Sequence, residues 1–144
     1  MHLFSMEFIK TIQESLNKHT NNNAFCINTI FYSYSDFSNE VSKIRTAIQN
    51  TIEDSEKLIG LVTNDDIQTY ASIIALWLEG KAYVPVNPET PLERNLHIFN
   101  LTNTKHIIDS SLESIYHDFL VINSASLKKS ALNLTPKVFS GNNL

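Results

Sequence analysis

What most constrains this chain is an alternation of two hydrophobic periods between residues 57 and 109. Residues 57–63, KLIGLVT, are a short apolar run bounded by Asn64 and Asp65, as in a strand buried on both faces. Residues 66–79 then follow helical spacing and are apolar on most sides, through Ile67, Tyr70, Ala71, Ile73, Ile74, Leu76, Trp77 and Leu78. Such a helix packs on more than one face, and Trp77 is expected in the core. Gly80 stands where a left-handed residue would end it. Residues 82–86, AYVPV, are the next strand; Pro85 lacks a ladder donor and suits a sheet interior poorly unless the strand bends. Thr90, Pro91 and Glu93 read as an N-cap, a first helical residue and the acid of a capping box, opening a helix to about Asn100 with Leu92, Leu96 and Phe99 on one face. Residues 106–109, HIID, close the series as a strand. Strand–helix–strand–helix–strand order predicts an α/β fold: a mostly parallel sheet with helices on both faces, joined by right-handed crossovers.

The flanks are plainer. Residues 5–18 place Phe8, Ile9, Ile12 and Leu16 at helical spacing. AFCIN at 24–28 and IFYSY at 30–34 read as two short strands turning at Asn28–Thr29, without the glycine such turns favour. Ser35 or Asp36 is expected to cap a helix through about Thr51, with Phe37, Val41, Ile44, Ala47 and Ile48 as its apolar stripe. Residues 112–117 suggest a helical turn and 119–122, FLVI, a strand; from Asn123 the pattern dissolves. No internal repeat is visible.

Composition excludes several functions. A chain of 144 residues is one domain in length and long enough to bury a core. Its formal net charge of −4 and single adjacent basic pair, Lys128–Lys129, argue against nucleic acid as a partner. The most apolar run, residues 71–78, is well short of the ~20 residues of a membrane span. The start, MHLFSMEFIK, lacks the pattern of a secretory signal, and the single cysteine, Cys26, fits a reducing, cytoplasmic setting as a small buried hydrophobe. The three glycines, Gly60, Gly80 and Gly141, are too far apart for either G-x-G-x-x-G or G-x-x-x-x-G-K-[ST].

The residues able to do chemistry form no self-contained site. His2, His19, His97, His106 and His117 contain no i, i+4 pair and no HExxH, so a metal is not expected. Asp65 and Asp66 adjoin a helix start, where capping explains them better than acid–base catalysis. Asp109, Ser110 and Ser111 follow a strand, at the edge where α/β sheets bind ligands, but a helix cap by Ser110 or Ser111 before Glu113 explains them better. Cys26 has no neighbouring base and no sign of a nucleophile's setting.

A longer pattern is more specific. In residues 75–99, ALWLEGKAYVPVNPETPLERNLHIF, the positions Gly80, Ala82, Tyr83, Val84, Pro85, Pro88, Pro91, Glu93 and Arg94 match in register the early signature of adenylate-forming enzymes, L-K-A-G-x-A-Y-V-P-[IL]-D-P followed by Y-P-x-E-R-L. Trp77, Leu78 and Glu79 depart from L-K-A, and Asn87 replaces the commonest Asp. Residues 31–48 are similar to that family's first motif, L-T-Y-x-E-L, through Ser33, Tyr34, Phe37 and Asn39, and residues 104–111 resemble its strand A-R-L-L-L-T-D. The likeness covers about residues 24–111 in the family's order. Its Tyr-Val-Pro wording resembles the amino-acid adenylation domains of nonribosomal peptide synthetases more than acyl-CoA synthetases.

The resemblance implies that residues 1–122 are a partial N-terminal subdomain of an AMP-binding domain, and 123–144 an irregular segment leading to the family's Ser/Thr/Gly-rich phosphate loop, which the chain lacks. The implied whole protein is a ligase converting a carboxylate and ATP, with Mg²⁺, into an acyl-adenylate and pyrophosphate, then passing the acyl group to a thiol such as a carrier protein's phosphopantetheine. This chain is then an inactive N-terminal piece whose partners are the rest of that domain or, through exposed edges, further copies of itself. No residue here matches a catalytic, cofactor-binding or metal position, so none is nominated; Tyr83, Pro85 and Arg94 are signature residues with a structural role. The alternatives are a stand-alone, noncatalytic α/β interaction module or a piece of an acyl-CoA synthetase.

Overall fold

A computed structural model of the chain describes residues 11, 13, 14 and 23–137. The helix expected at 5–18, the glycine at 141, and His2 and His19 fall outside those residues or nearly so. Residues 11, 13 and 14 are helical, and from residue 23 the chain forms a hairpin, β1 (Asn23–Ile27) and β2 (Ile30–Ser33), paired antiparallel. Its two-residue turn has φ of 51° at Asn28 and 67° at Thr29, both left-handed, as a turn matched to strand twist requires. Asn tolerates that region; a β-branched Thr does so only under strain. The Asn28 amide also donates to the Asp65 carbonyl, tying the turn to the main body.

The helix after the hairpin, α1 (Tyr34–Thr51), starts one turn position earlier than the sequence suggests. Ser33 is its N-cap: the Ser33 hydroxyl accepts from the Asp36 amide and the Asp36 carboxylate from the Ser33 amide, a complete capping box. Asp36 therefore supports the cap rather than being it. Phe37, Val41, Ile44 and Ile48 are buried as one stripe.

The main sheet is parallel throughout. β3 (Leu58–Val62), β4 (Ala82–Val86), β5 (His106–Asp109) and β6 (Leu120–Asn123) lie in the order β4-β3-β5-β6. The crossovers are α2 (Ile67–Leu78) and α3 (Leu92–Leu101). Side chains alternate between two cores. Ile59, Leu61, Ile108 and Ile122 face α1 and α2, while Val62, Val84, Val86 and Ile107 face Phe99 of α3. The α/β arrangement with both faces covered is the one the alternation predicts. Pro85 sits on β4, which is an edge strand among the described residues, so its missing donor costs no ladder bond there.

Three local expectations give way. Helix α3 has Pro91 as its N-cap with no side-chain cap, because Asn87–Thr90 closes a turn first (Thr90 N–H to Asn87 C=O, 3.1 Å) and leaves Thr90 a residue too early for a capping box with Glu93. Residues 112–117 form bends rather than a helical turn. Trp77 is half-buried, since α2 spends its inward positions on Ala71, Ala75, Leu76 and Leu78. Gly80 does end α2 in the left-handed region, with φ of 72°. No described helix is long and apolar enough to cross a membrane.

Candidate functional site

Strand order locates the place to look. From β3 the chain crosses to β4 on one side and later returns to β5 on the other. The loops leaving β3 and β5 therefore diverge, and their carboxyl ends flank a topological switch point, where open α/β sheets bind ligands. Both aspartate-containing segments singled out in the sequence arrive there, and the fold joins them. Asp66 caps α2: its Oδ1 accepts from the Thr69 amide (2.8 Å) and the Thr69 hydroxyl (2.7 Å). Its other oxygen accepts from the Ser110 hydroxyl, delivered from the end of β5.

Asn64 is the centre of the cluster. Its Nδ2 lies 2.9 Å from Ser110 Oγ, 3.3 Å from Asp109 Oδ1 and 3.4 Å from Ser111 Oγ. Asp109 is 2% exposed, and its Oδ1 also accepts from the Ser111 amide at 2.9 Å. From β6, Asn123 Nδ2 donates to the Ser111 carbonyl at 3.2 Å. Capping was the right account of Asp66. For Ser110 and Ser111 it fails, because no helix follows them; they tie β5's exit loop to α2 instead. Asn64 carried no signal, since an Asn after a strand reads as an ordinary turn residue.

The cluster has no reactive arrangement. Ser110 has a carboxylate partner but no imidazole, and Asp66 already accepts three hydrogen bonds, two of them holding the start of α2. Asp65 is occupied too, its carboxylate accepting from the Tyr70 hydroxyl at 2.9 Å. That bond, with burial and the adjoining acids, pushes the Tyr70 phenol up. His97 and His117 are exposed, while His106 lies at the other edge of the sheet with its Nδ1 2.9 Å from both Glu56 oxygens. Among the described residues no three His, Cys, Asp or Glu side chains gather as a metal site. Cys26 is exposed, contrary to the buried position expected, because it faces Phe31 across the hairpin on its outer side.

Within the signature block, the packing contacts come from residues beside the matched positions. Asn95, 2% exposed, donates through Nδ2 to the Asn87 carbonyl (2.9 Å) and the Tyr116 hydroxyl (3.0 Å). Asn87 Oδ1 in turn accepts from the Glu89 amide at 2.8 Å. This fixes the β4–α3 loop. Burial raises the Tyr116 phenol further from ionisation, while the bond to Asn95 works the other way. Tyr83 packs part-buried against the α1–α2 core, and Pro85 and Arg94 are exposed. At the amino edge, Lys81 is buried, with Nζ donating to the carbonyls of Glu53 (2.8 Å) and Glu56 (2.6 Å), and burial holds its pKa down. A groove of about 490 Å³ lies at that edge between α3 and the starts of β5 and β6, away from the switch point.

A parallel sheet of this order, with paired helices on one face and α3 on the other, matches the fold of the NpsA N-terminal subdomain. The Klebsiella oxytoca NpsA N-terminal subdomain superposes with a TM-score of 0.68, covering 85% of this chain and 32% of that one at 16% identity. The nonribosomal peptide synthetase FmoA3 gives a TM-score of 0.74 over 90% of this chain and 15% of its own, at 13% identity. In sequence the chain is 24% identical over 117 residues to nonribosomal peptide synthetase 2 of Gibberella zeae, covering 76% of this chain and 2% of that protein. No family model matches. The chain is thus similar in sequence to part of several nonribosomal peptide synthetases, spanning 2–8% of their length, and similar in fold to the NpsA N-terminal subdomain.

Proposed function

We propose that the chain is the N-terminal piece of an ATP-dependent ligase that activates an amino-acid-like carboxylate as its adenylate, and that it is inactive by itself. The observation that carries this reading is the coincidence of two independent likenesses over the same residues, the ordered signature at 24–111 and the fold. NpsA is known bound to 3-hydroxyanthranilyl-AMSN and FmoA3 to α-methyl-L-serine-AMP, which supports acyl-adenylate chemistry for the whole protein. NpsA also exists as an artificial adenylation–PCP fusion with ThdA, which supports a phosphopantetheinyl carrier protein as the acyl acceptor.

The chain's own residues do not fit ATP. The carboxyl edge of the sheet presents Asp65, Asp66 and Asp109, bonded to serines, a threonine, a tyrosine and an asparagine, with no cation among those partners. A triphosphate there meets like charge and no glycine-rich cradle. ATP and Mg²⁺ therefore belong to other parts of the ligase. In this reading residues 1–122 are the partial subdomain and 123–144 lead onward. The remaining domain covers β6, beside which Leu112, Ile115 and Leu120 are 94%, 54% and 61% exposed. Without that cover the same surface drives self-association. In this reading the ligase works in the cytoplasm, the reducing setting that a single cysteine suits.

Calorimetric titration of the 144-residue chain with MgATP tests the reading. It should show nothing tighter than about millimolar, equivalent to about −4 kcal/mol. A micromolar constant would assign this chain a nucleotide site of its own and overturn the proposal.

A further inference from the structure

Among the described residues beyond β6 there is no regular element, yet residues 133–137 are fixed along their length. The Asn133 amide donates to Ser42 Oγ at 2.9 Å. The Asn133 and Thr135 carbonyls accept from Arg45 Nη1 at 3.2 and 2.7 Å, and the Lys137 amide donates to the Leu78 carbonyl at 2.8 Å. Burial alternates along the segment, with Leu134 and Pro136 inside and Asn133 and Thr135 outside. This is an extended segment lying against α1 and the end of α2.

The seat it occupies is organised without it. Arg45 Nε and Nη2 lie 2.8 and 2.7 Å from Glu79 Oε2, with both side chains no more than 3% exposed. Gln49 Nε2 donates to the same oxygen at 3.0 Å. Three donors thus lock the carboxylate, and two of them orient the guanidinium so that Nη1 alone points to the segment. Ser42 is likewise held from within α1, its hydroxyl donating to the Ser38 carbonyl. A buried guanidinium fixed this way offers its remaining donors in a set direction, which Lys would not.

We propose that residues 133–137 are a releasable strap, seated in a preformed receptor built by Ser42, Arg45, Leu78 and Glu79, that opens without unfolding the sheet. Its hold is four main-chain hydrogen bonds, an inward Leu134 and Pro136, and the ammonium of Lys137, which pairs with Asp54 and lies 3.8 Å from Glu79 Oε1. It enters no strand ladder, and segments with so few buried contacts open at lower cost than the sheet does. On opening, the Arg45–Glu79 pair stays intact, and Arg45 Nη1, Ser42 Oγ, the Leu78 carbonyl and Glu79 Oε1 are left for water. The strap thus governs the direction in which the chain leaves the sheet, and Arg45 is a positioning residue for it.

Native-state hydrogen exchange on the full 144-residue chain tests this directly. The Asn133 and Lys137 amides should exchange at least tenfold faster than those of Ile59 and Leu61 in β3. Leu134→Ala should speed the two strap amides at least a further tenfold, leave the β3 amides unchanged, and preserve the Arg45 Nε–H resonance. Equal exchange of strap and β3 in the unaltered chain would overturn the proposal. So would a Leu134→Ala chain that speeds β3 by the same factor, loses the Arg45 resonance, or does not fold.

Discussion

Gly60 is the tightest point of the sheet, and adding one methyl there has a predictable cost. A Cβ built on Gly60 would lie 2.8 Å from Phe99 Cε1, 3.0 Å from Ile107 Cγ1 and 3.1 Å from Phe99 Cζ. Neither neighbour can yield easily. Ile107 is fully buried in the central strand β5, and the Phe99 ring is held edge-on by Tyr116 and Phe119, each 5.5 Å away between centroids. Overpacking of this kind costs about 1–3 kcal/mol. Against it stands the backbone entropy that Ala saves relative to Gly, about 0.5–1 kcal/mol. Gly60→Ala should therefore lose about 1 kcal/mol net, within a span of about 0–2.5, read as a lower midpoint at unchanged slope in urea unfolding. Phe99→Leu shortens the obstructing ring, so Gly60→Ala should cost less in that background, with a coupling of about 1 kcal/mol. A Gly60→Ala chain more stable than the parent, or strict additivity with Phe99→Leu, would refute the packing argument.

Other consequences are as direct. Thr29→Gly should raise stability by about 1 kcal/mol, because glycine accepts the left-handed turn that strains a β-branched residue; a loss in the same urea assay would contradict that account of the turn. Trp77→Ala should cost about 1–2 kcal/mol against about 3–5 for Phe99→Ala, since only the second ring is fully enclosed; equal losses would place Trp77 in the core after all. The Lys137 ammonium beside Asp54 holds that carboxyl below its ordinary value, with smaller help from Lys81 and Lys57. A carboxyl depressed in the folded state contributes stability above its unfolded pKa and loses it as pH falls through the folded one. Thermal melts between pH 5 and 2 should therefore fall less steeply for Lys137→Ala than for the parent, and identical slopes would deny the pair any role.

What the sequence made legible was local. Helix and strand periods placed β3 to β6, α2 and the stripe of α1, because a 3.6- or 2-residue repeat is written in neighbouring residues. The hairpin turn was found without its glycine because Asn28 and Thr29 separate two apolar runs. The failures have one source, competition settled by distant or overlapping contacts. Thr90 lost its capping role to a turn begun at Asn87, and Trp77 was displaced by smaller residues that let α2 lie close to the sheet. The union of Asp66 with Ser110, 44 residues apart, follows from β5 lying beside β3, which no local pattern states. The Arg45–Glu79 pair is equally nonlocal, and Glu79 had registered only as a departure from a familiar motif.

The most direct test of the functional account is carboxylate-dependent exchange of labelled pyrophosphate into ATP, measured with a panel of amino and aryl acids. The 144-residue chain alone should show none above background, and the same chain extended through its own downstream coding sequence to include a glycine-rich phosphate loop and the rest of the domain should show exchange with at least one acid. Exchange by the chain alone, or none from the extended protein with any acid, would contradict the assignment to an adenylating ligase.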